Sequence, residues 1–419
     1  MKKIMLFVAV CSLMLSLIGC GKQNEVANIS LMMWDEAQSP VIQQSIDKFN
    51  EKNEGKIVAS IELVPWDSYW TKLDASLETK ESADVMWMNV YLPKYASAEV
   101  VKPLDEYIEK DKLDLSQYIE GRVNAYNLDG KQYALPKGLD TVFVAYNKEM
   151  FDRYDVEYPQ EGWTWDDMRT IAGQLRDKIS EAGGAEYPIV MELDDQPSWM
   201  NFVVQNGGNY ISEDGKTTGM GMDESVEAIQ NMVDLMNEEL MAPYTVLSET
   251  KGTDLFISGQ GGMVFIGSWK ASVLENSTLG ADGNIGLIQM PALNGSNSSV
   301  LGGLGYCLSA SSKHPDEAWE LIKYITSEES LYNEAVNGID IPAHAKAQEG
   351  YVKNFKNLDA QVILDASVTG FPYQSNGNFE WTSYVNDAVQ KALSQIAPVK
   401  ETLVEGATQA QEVLDELYK

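Results

Sequence analysis

Between Ile29 and Met88 the chain alternates two hydrophobic periods, and that alternation restricts the fold more than any other feature. Ile29 to Trp34 reads as a strand. Ser39-Pro40 then opens a helix whose Val41, Ile42, Ile46 and Phe49 recur at helical spacing. Ile57 to Leu63 is a second strand, broken at Pro65-Trp66, after which Asp67 is placed to cap a helix carrying Tyr69, Trp70, Leu73 and Leu77. Asp84 to Met88 is a third strand. Strand, helix, strand, helix, strand implies a parallel sheet with covering helices. Open sheets of this kind bind ligands at the carboxyl ends of their strands. Trp34 and Trp87 fall at or just past such ends, so both are candidates for one rim. Packing of a helix onto the sheet is the alternative fate for either indole.

Further along, Val142 to Tyr146 is a strand, and Gly162-Trp163-Thr164-Trp165-Asp166-Asp167 enters a helix with Thr164 as its N-cap. Asp166 and Asp167 favour the dipole of that first turn, so their pairing is structural. Val226, Ile229, Met232, Val233 and Met236 form one helical face that fills a core. Gly262 to Ile266 is a strand running into Gly267-Ser268-Trp269, Pro315 starts a helix, and the chain closes with helices around Tyr384 to Ile396 and Val404 to Leu417. A chain of 419 residues exceeds one typical core, so two lobes are expected.

Charge and scarce residues exclude several functions. Asp and Glu number 63 against 31 Lys and Arg, a formal net charge of −32. Such a surface repels nucleic acid and anionic headgroups. Only two histidines exist, His314 and His344, so neither a metal site nor a Ser-His-Asp triad is expected, and no cofactor is. The phosphate-cradling, zinc-protease and nucleophile-elbow motifs are missing, and Gly302-Gly303-Leu304-Gly305 falls short of a dinucleotide fingerprint. Cys307 lies alone in an apolar strand-like run and reads as a small buried residue.

The amino terminus gives an address. Lys2 and Lys3 precede an uncharged, mostly apolar run from Ile4 to Ile18 that ends in Leu17-Ile18-Gly19-Cys20, which describes an export signal. The cysteine resembles the lipobox of bacterial lipoproteins. That resemblance implies cleavage before Cys20 and its lipidation, with residues 1–19 as signal peptide and 20–28 as lipidated cysteine and tether. The expected location is the extracytoplasmic face of the cell membrane, held there by the lipid. Nothing after the signal is apolar enough to cross a bilayer.

Ten tryptophans and twenty tyrosines remain to be explained. An indole packs the C–H face of a sugar ring, while Asp, Asn and Glu accept hydrogen bonds from its hydroxyls. Trp34-Asp35-Glu36, Trp66-Asp67 and Trp87-Met88-Asn89 all have that form. An ordered series of motifs then resembles the sugar-type extracellular solute-binding proteins of ABC importers, the group that includes maltose-binding protein. The series runs from Trp34 through Ala83-Asp84-Val85, Tyr133-Ala134-Leu135-Pro136, Asp140-Thr141 to Tyr146-Asn147-Lys148, and Trp163-Thr164-Trp165-Asp166. It continues with Asn206-Gly207-Gly208, Phe256-Ile257-Ser258-Gly259, Met263 to Trp269, and Ala318-Trp319 to Thr326-Ser327.

The resemblance implies an α/β, two-lobed periplasmic-binding-protein fold with hinge crossings and an interlobe ligand cleft. Lobe 1 would comprise 29–140 and 291–340, and lobe 2 141–290 and 341–419. Crossings are expected near Leu139 to Val144, Gln289 to Ala292 and Asp340 to His344. Trp87 and Trp269 match two stacking tryptophans of maltose-binding protein, and Trp381 lies one position from the third. Asp140 matches an acidic cleft residue, Trp199 falls where the family places another aromatic, and Gly303 and Tyr306 lie in the strand after the second crossing. Asp35-Glu36 departs from the maltose-binding pattern, which argues against maltose itself. The expected protein is a lipid-anchored monomer, not an enzyme. It captures a sugar or oligosaccharide and delivers it to an ABC permease by lobe closure. The same fold binding a polyamine, peptide or phosphate ester is the main alternative, and a surface glycoside hydrolase is a remoter one, since the adjacent side chains of Asp194-Asp195 usually diverge and a hydrolase needs its carboxylates across a bond.

Overall fold

The computed structural model describes residues 26–79, 81–378 and 380–419. The expected signal, Cys20 and most of the tether lie outside the described residues. In chain order the strands are β1 (Ala27–Met33), β2 (Ile57–Leu63), β3 (Val85–Met88), β4 (Asn127–Leu128), β5 (Lys131–Gln132), β6 (Ala134–Asp140), β7 (Val142–Asn147), β8 (Tyr187–Met191), β9 (Gly261–Gly267), β10 (Ile285–Ile288), β11 (Val300–Leu308), β12 (Ile341–Pro342) and β13 (Phe371–Pro372).

Two sheets form two lobes. The first has the order β12-β6-β11-β3-β1-β2, with β13 added to β11; the second has the order β10-β7-β9-β8. β1 pairs in parallel with β2 and β3, as the opening alternation requires. β11 then enters antiparallel between β3 and β6, with Tyr306 opposite Trp87 and Gly302 opposite Asp140. Asp84, just before β3, ties the far end of this lobe by accepting from the Ser30 amide and hydroxyl and from Ser312. Each lobe has its own apolar core.

The two sheets are joined by almost no chain. β6 ends at Asp140 and β7 begins at Val142, so Thr141 alone separates them. Its amide donates to the Ser268 hydroxyl, its carbonyl accepts from the Ser268 amide, and its hydroxyl pairs with that of Ser299 at 2.7 Å. Thr141, Ser268 and Ser299 are all buried, so the crossing is held from both β9 and the approach to β11.

Some expectations need correction. The helix after β2 spans Trp66–Thr79 and therefore already contains Asp67 instead of starting after it. The last helix is Val399–Leu417, because Pro398 supplies the extended residue before its first turn. β6 carries no strand signature in sequence, since Pro136-Lys137-Gly138 interrupts strand periodicity. All seven of its residues are nonetheless buried, and a bulge at Leu304/Gly305 of β11 absorbs the irregular register. Thr164 does cap Trp165–Ala182, in a reciprocal capping box with Asp167. Among the described residues no helix is long and apolar enough to cross a membrane.

Candidate functional site

Where β1 and β3 end, their last residues and the helix after β2 assemble a connected group of rings. Trp34 follows β1 directly and meets Trp66 at 5.2 Å, Tyr69 at 4.8 Å, Trp70 at 5.6 Å and Trp87 at 4.9 Å between ring centroids, mostly edge to face. Trp66 and Trp70 sit one helical turn apart and touch at 5.5 Å, and Trp70 leans on Tyr91 at 4.3 Å. Edge-to-face contact suits the ring quadrupoles and locks each indole against its neighbours. Trp66 remains 43 % exposed and Trp34 is half-buried, so these two rings present the outer surface of the wall. The Trp70 indole N–H is covered and lacks an acceptor among the described residues.

Beneath that wall lies a buried charge cluster. The Lys137 ammonium is fully buried, 2.8 Å from Asp340, 3.0 Å from Glu334 and 3.1 Å from the Gln38 side-chain oxygen. It also stands 5.3 Å from the centre of the Trp87 ring. Burial disfavours the ammonium, yet Asp340 and Glu334 more than offset this and hold its pKa well above the ordinary value. A residue with a β-carbon at position 138 would strike the Asp340 carboxylate, so Gly138 is what admits Asp340 to the cluster. Asp140 closes the group. Burial first, then the Asp340 charge, pushes its carboxyl up to about 8, against the pull of Lys137 and Arg122. Arg122 donates to the Gly302 carbonyl, and its guanidinium with the Gly138 carbonyl fills the space that a side chain at Gly303 would need.

The second lobe approaches Tyr91 of this wall with Asp194 and Asp195, and carries Tyr373 and Trp269. Trp269 is half-buried just past β9, its ring folded over Gly267 where no side chain would fit. Asp195 accepts from the Tyr373 hydroxyl and from the Gln196 amide. Tyr91 of the first lobe feels both acids: burial, then Asp195 and Asp194, raise its phenol well above the usual value. Gln196 lies over Gly302, and Gly377 abuts the Pro93 ring. The lobes are therefore in close approach along this line. Among the described residues no three His, Cys, Asp or Glu side chains gather as metal ligands.

The sequence profile described as "Bacterial extracellular solute-binding protein" matches residues 34–331. The chain belongs to that family. Its members bind solutes outside the cytoplasm and do not transform them, which agrees with the two-lobed architecture. A galactooligosaccharide-binding protein of Bacillus subtilis (strain 168) is 23 % identical over 98 % of this chain and 96 % of its own. An ABC substrate-binding protein from Listeria monocytogenes, solved in complex with cycloalternan, superposes with a TM-score of 0.84 at 20 % identity, covering 94 % of this chain and 99 % of the other. Maltose-bound T. maritima MalE3 gives 0.80 at 20 % identity, over 94 % and 100 %.

In this solute-binding protein the residues singled out from sequence divide in two. Trp34, Trp66 and Trp269 keep accessible surface just past β1, at the start of the helix after β2 and just past β9, and Asp140 and Gly303 lie in β6 and β11 beside the crossing. Asn89 is half-buried and accepts from the Tyr91 amide, shaping the turn that presents Tyr91. Asp35 accepts from the amides of Ala37 and Gln38, so it anchors the turn into helix Ser39–Lys52, while Glu36 is exposed. Four residues are corrected. Trp87 and Tyr306 are cross-strand partners with no accessible surface, because both project into the core of the first lobe. Trp199 packs on Tyr210 at the start of its helix. Trp381 packs on the same tyrosine and donates to the Asn376 side chain, which in turn donates to the Gly215 carbonyl. No ring face of these four is open. Trp70, Tyr91, Arg122, Lys137 and Tyr373 were missed; the Trp66/Trp70 spacing of four was the one available signal.

Lys137→Met is expected to leave Asp340 and Glu334 buried without their cation and to cost about 3–5 kcal/mol of stability. Because both carboxyls already sit above their ordinary range, the variant should recover as pH falls and they take up protons. Urea unfolding at several pH values checks this; a loss under about 1 kcal/mol or recovery on raising pH would contradict it.

Proposed function

We propose that this chain is the lipid-anchored receptor of an ABC importer, capturing a sugar or oligosaccharide between its lobes and handing it to the permease. The single observation that carries the reading is the cluster of indoles where β1 and β3 end, in which Trp34 and Trp66 keep accessible surface and whose Tyr91 is approached by Asp194 and Asp195 of the second lobe. Indole faces suit the C–H face of a sugar ring, and carboxylates suit its hydroxyls. The oligosaccharide named for the Bacillus subtilis relative and the sugars bound in the structural neighbours support the same class.

Capture proceeds as a shift between open and closed arrangements. Ligand first meets the wall of one lobe, then supplies contacts to the other that favour closure about Thr141 and the neighbouring crossings. The first lobe is taken as 29–140 with 291–340, the second as 141–290 with 341–419, except that β12 and β13 of the last segment pair into the first lobe's sheet. Water leaves the cleft on closure, which strengthens each hydroxyl contact. The permease would read the closed form. Acylation at Cys20 would keep the receptor at the outer face of the membrane, within reach of that permease.

A panel of galacto-, arabino- and maltooligosaccharides in isothermal titration calorimetry tests the ligand class. Trp34→Ala and Trp269→Ala should each weaken the best sugar by about 1 kcal/mol or more, roughly fivefold in Kd. Unchanged affinity in both, or binding of polyamines and no sugar, would overturn the site. Separately, Cys20→Ser should abolish incorporation of labelled palmitate and release the protein from the membrane fraction. Equal retention of variant and wild type would remove the anchor.

A further inference from the structure

We propose that closing the cleft takes up one proton at Asp140, so that solute capture by this receptor is proton-linked. The proposal rests on the capture reading for its ligand and adds a control on the same site.

Its basis is an imbalance of charge at the crossing. Asp140 is the last residue of β6, one residue from the second sheet, and is 9 % exposed. Its carboxylate forms neither a hydrogen bond nor a salt bridge among the described residues. Four acids meet here: Asp140 itself, Asp340 ahead of β12, Asp35 after β1, and Glu334 on helix Glu328–Ala335, which acts on Asp340. Two cations face them, Lys137 of β6 and Arg122 of helix Glu120–Asn124. Both are committed elsewhere, Lys137 to Asp340 and Glu334 and Arg122 to the Gly302 carbonyl. The remaining neighbours, Tyr126 beside Arg122, Tyr306 of β11 and Tyr351 of helix Gln348–Asn354, are neutral phenols held above their usual range by burial. Asp140 therefore has no counter-charge of its own in a dry setting.

Lobe closure makes that setting dry. Gly302 is the cross-strand partner of Asp140, and the second-lobe residue Gln196 sits directly over it. Opening withdraws Gln196 and returns water to this edge of β6, which moves the carboxyl toward its ordinary value. Closing reverses that, and a proton passes from solvent to the carboxylate oxygen. The closed state then binds more protons than the open one between the ordinary carboxylate range and about 8. Affinity consequently falls as pH rises through that window, by up to about tenfold per pH unit, and levels off above it.

Calorimetry of the full soluble chain at about pH 7, with the best member of the oligosaccharide panel, reads the proton in buffers of differing ionisation enthalpy. Wild type should take up a substantial fraction of one proton, and whatever binding Asp140→Asn retains should show neither uptake nor pH dependence; if the variant binds nothing, the infrared measurement below decides. Equal uptake in the variant, or none in wild type, overturns the proposal. So does preferential binding of glucosamine oligomers without proton uptake, since the ligand would then bring the missing positive charge. If no sugar binds, the capture reading fails by itself, and infrared titration of protein held closed by a disulfide between Pro93→Cys and Gly377→Cys, which abut across the lobes, decides the proton. A protonated carboxyl band at about pH 7 in that closed form that vanishes when Asp140→Asn is added supports it, and absence of the band without that change refutes it.

Discussion

Everything around the cleft hangs on the brevity of the link between β6 and β7. With Thr141 as the only intervening residue, the floor of the gap is made from strands that belong to the sheets themselves. A movement of one lobe is thus felt at once by Lys137, Asp140 and Gly302. The Lys137 ammonium adds the second constraint. It gathers side chains from the approach to helix Ser39–Lys52, from helix Glu328–Ala335 and from the approach to β12. Removing its charge would strand two carboxylates in a place where no water reaches. Such a cluster is weak evidence of added stability, since desolvation opposes the attraction. Its position at a crossing makes fixed geometry the better account of its presence.

The aromatic wall grows out of that floor. Trp87 stands between Lys137 and Trp34, contacting one by its face and the other edge to face. Burying Trp87 and Tyr69 beneath Trp34 leaves the exposed indole few ways to move, and Tyr69 is itself fixed by a 2.7 Å bond to the Trp87 carbonyl. Ligand-facing rings that are rigid before binding lose little freedom on contact. Fully buried Trp87 thus braces the more exposed rings.

Legibility in the sequence followed range. The βαβαβ opening, the Thr164 cap and the placement of Trp34 and Trp269 just past their strands all depend on residues close in sequence, and all could be read. Trp87 could not be assigned, because its neighbours in sequence do not reveal which face of β3 carries a helix and which carries the cleft. β6 was hidden by Pro136 and Gly138, whose presence answers to a bulge and to Asp340, some two hundred residues away. The Tyr373–Asp195 contact spans 178 residues, and the Lys137–Asp340 pair 203. No periodicity announces contacts of that kind. The motif series placed the fold correctly but carried over two tryptophans, Trp87 and Trp381, whose surroundings here are packed.

A crystal structure of the chain with the tightest oligosaccharide of the panel tests the central claim most directly. The account predicts sugar density between the lobes, with rings against Trp34 or Trp66 on one side and Trp269 on the other. Density on the outer surface of either lobe, or a solute held only by groups away from these three indoles, would contradict it.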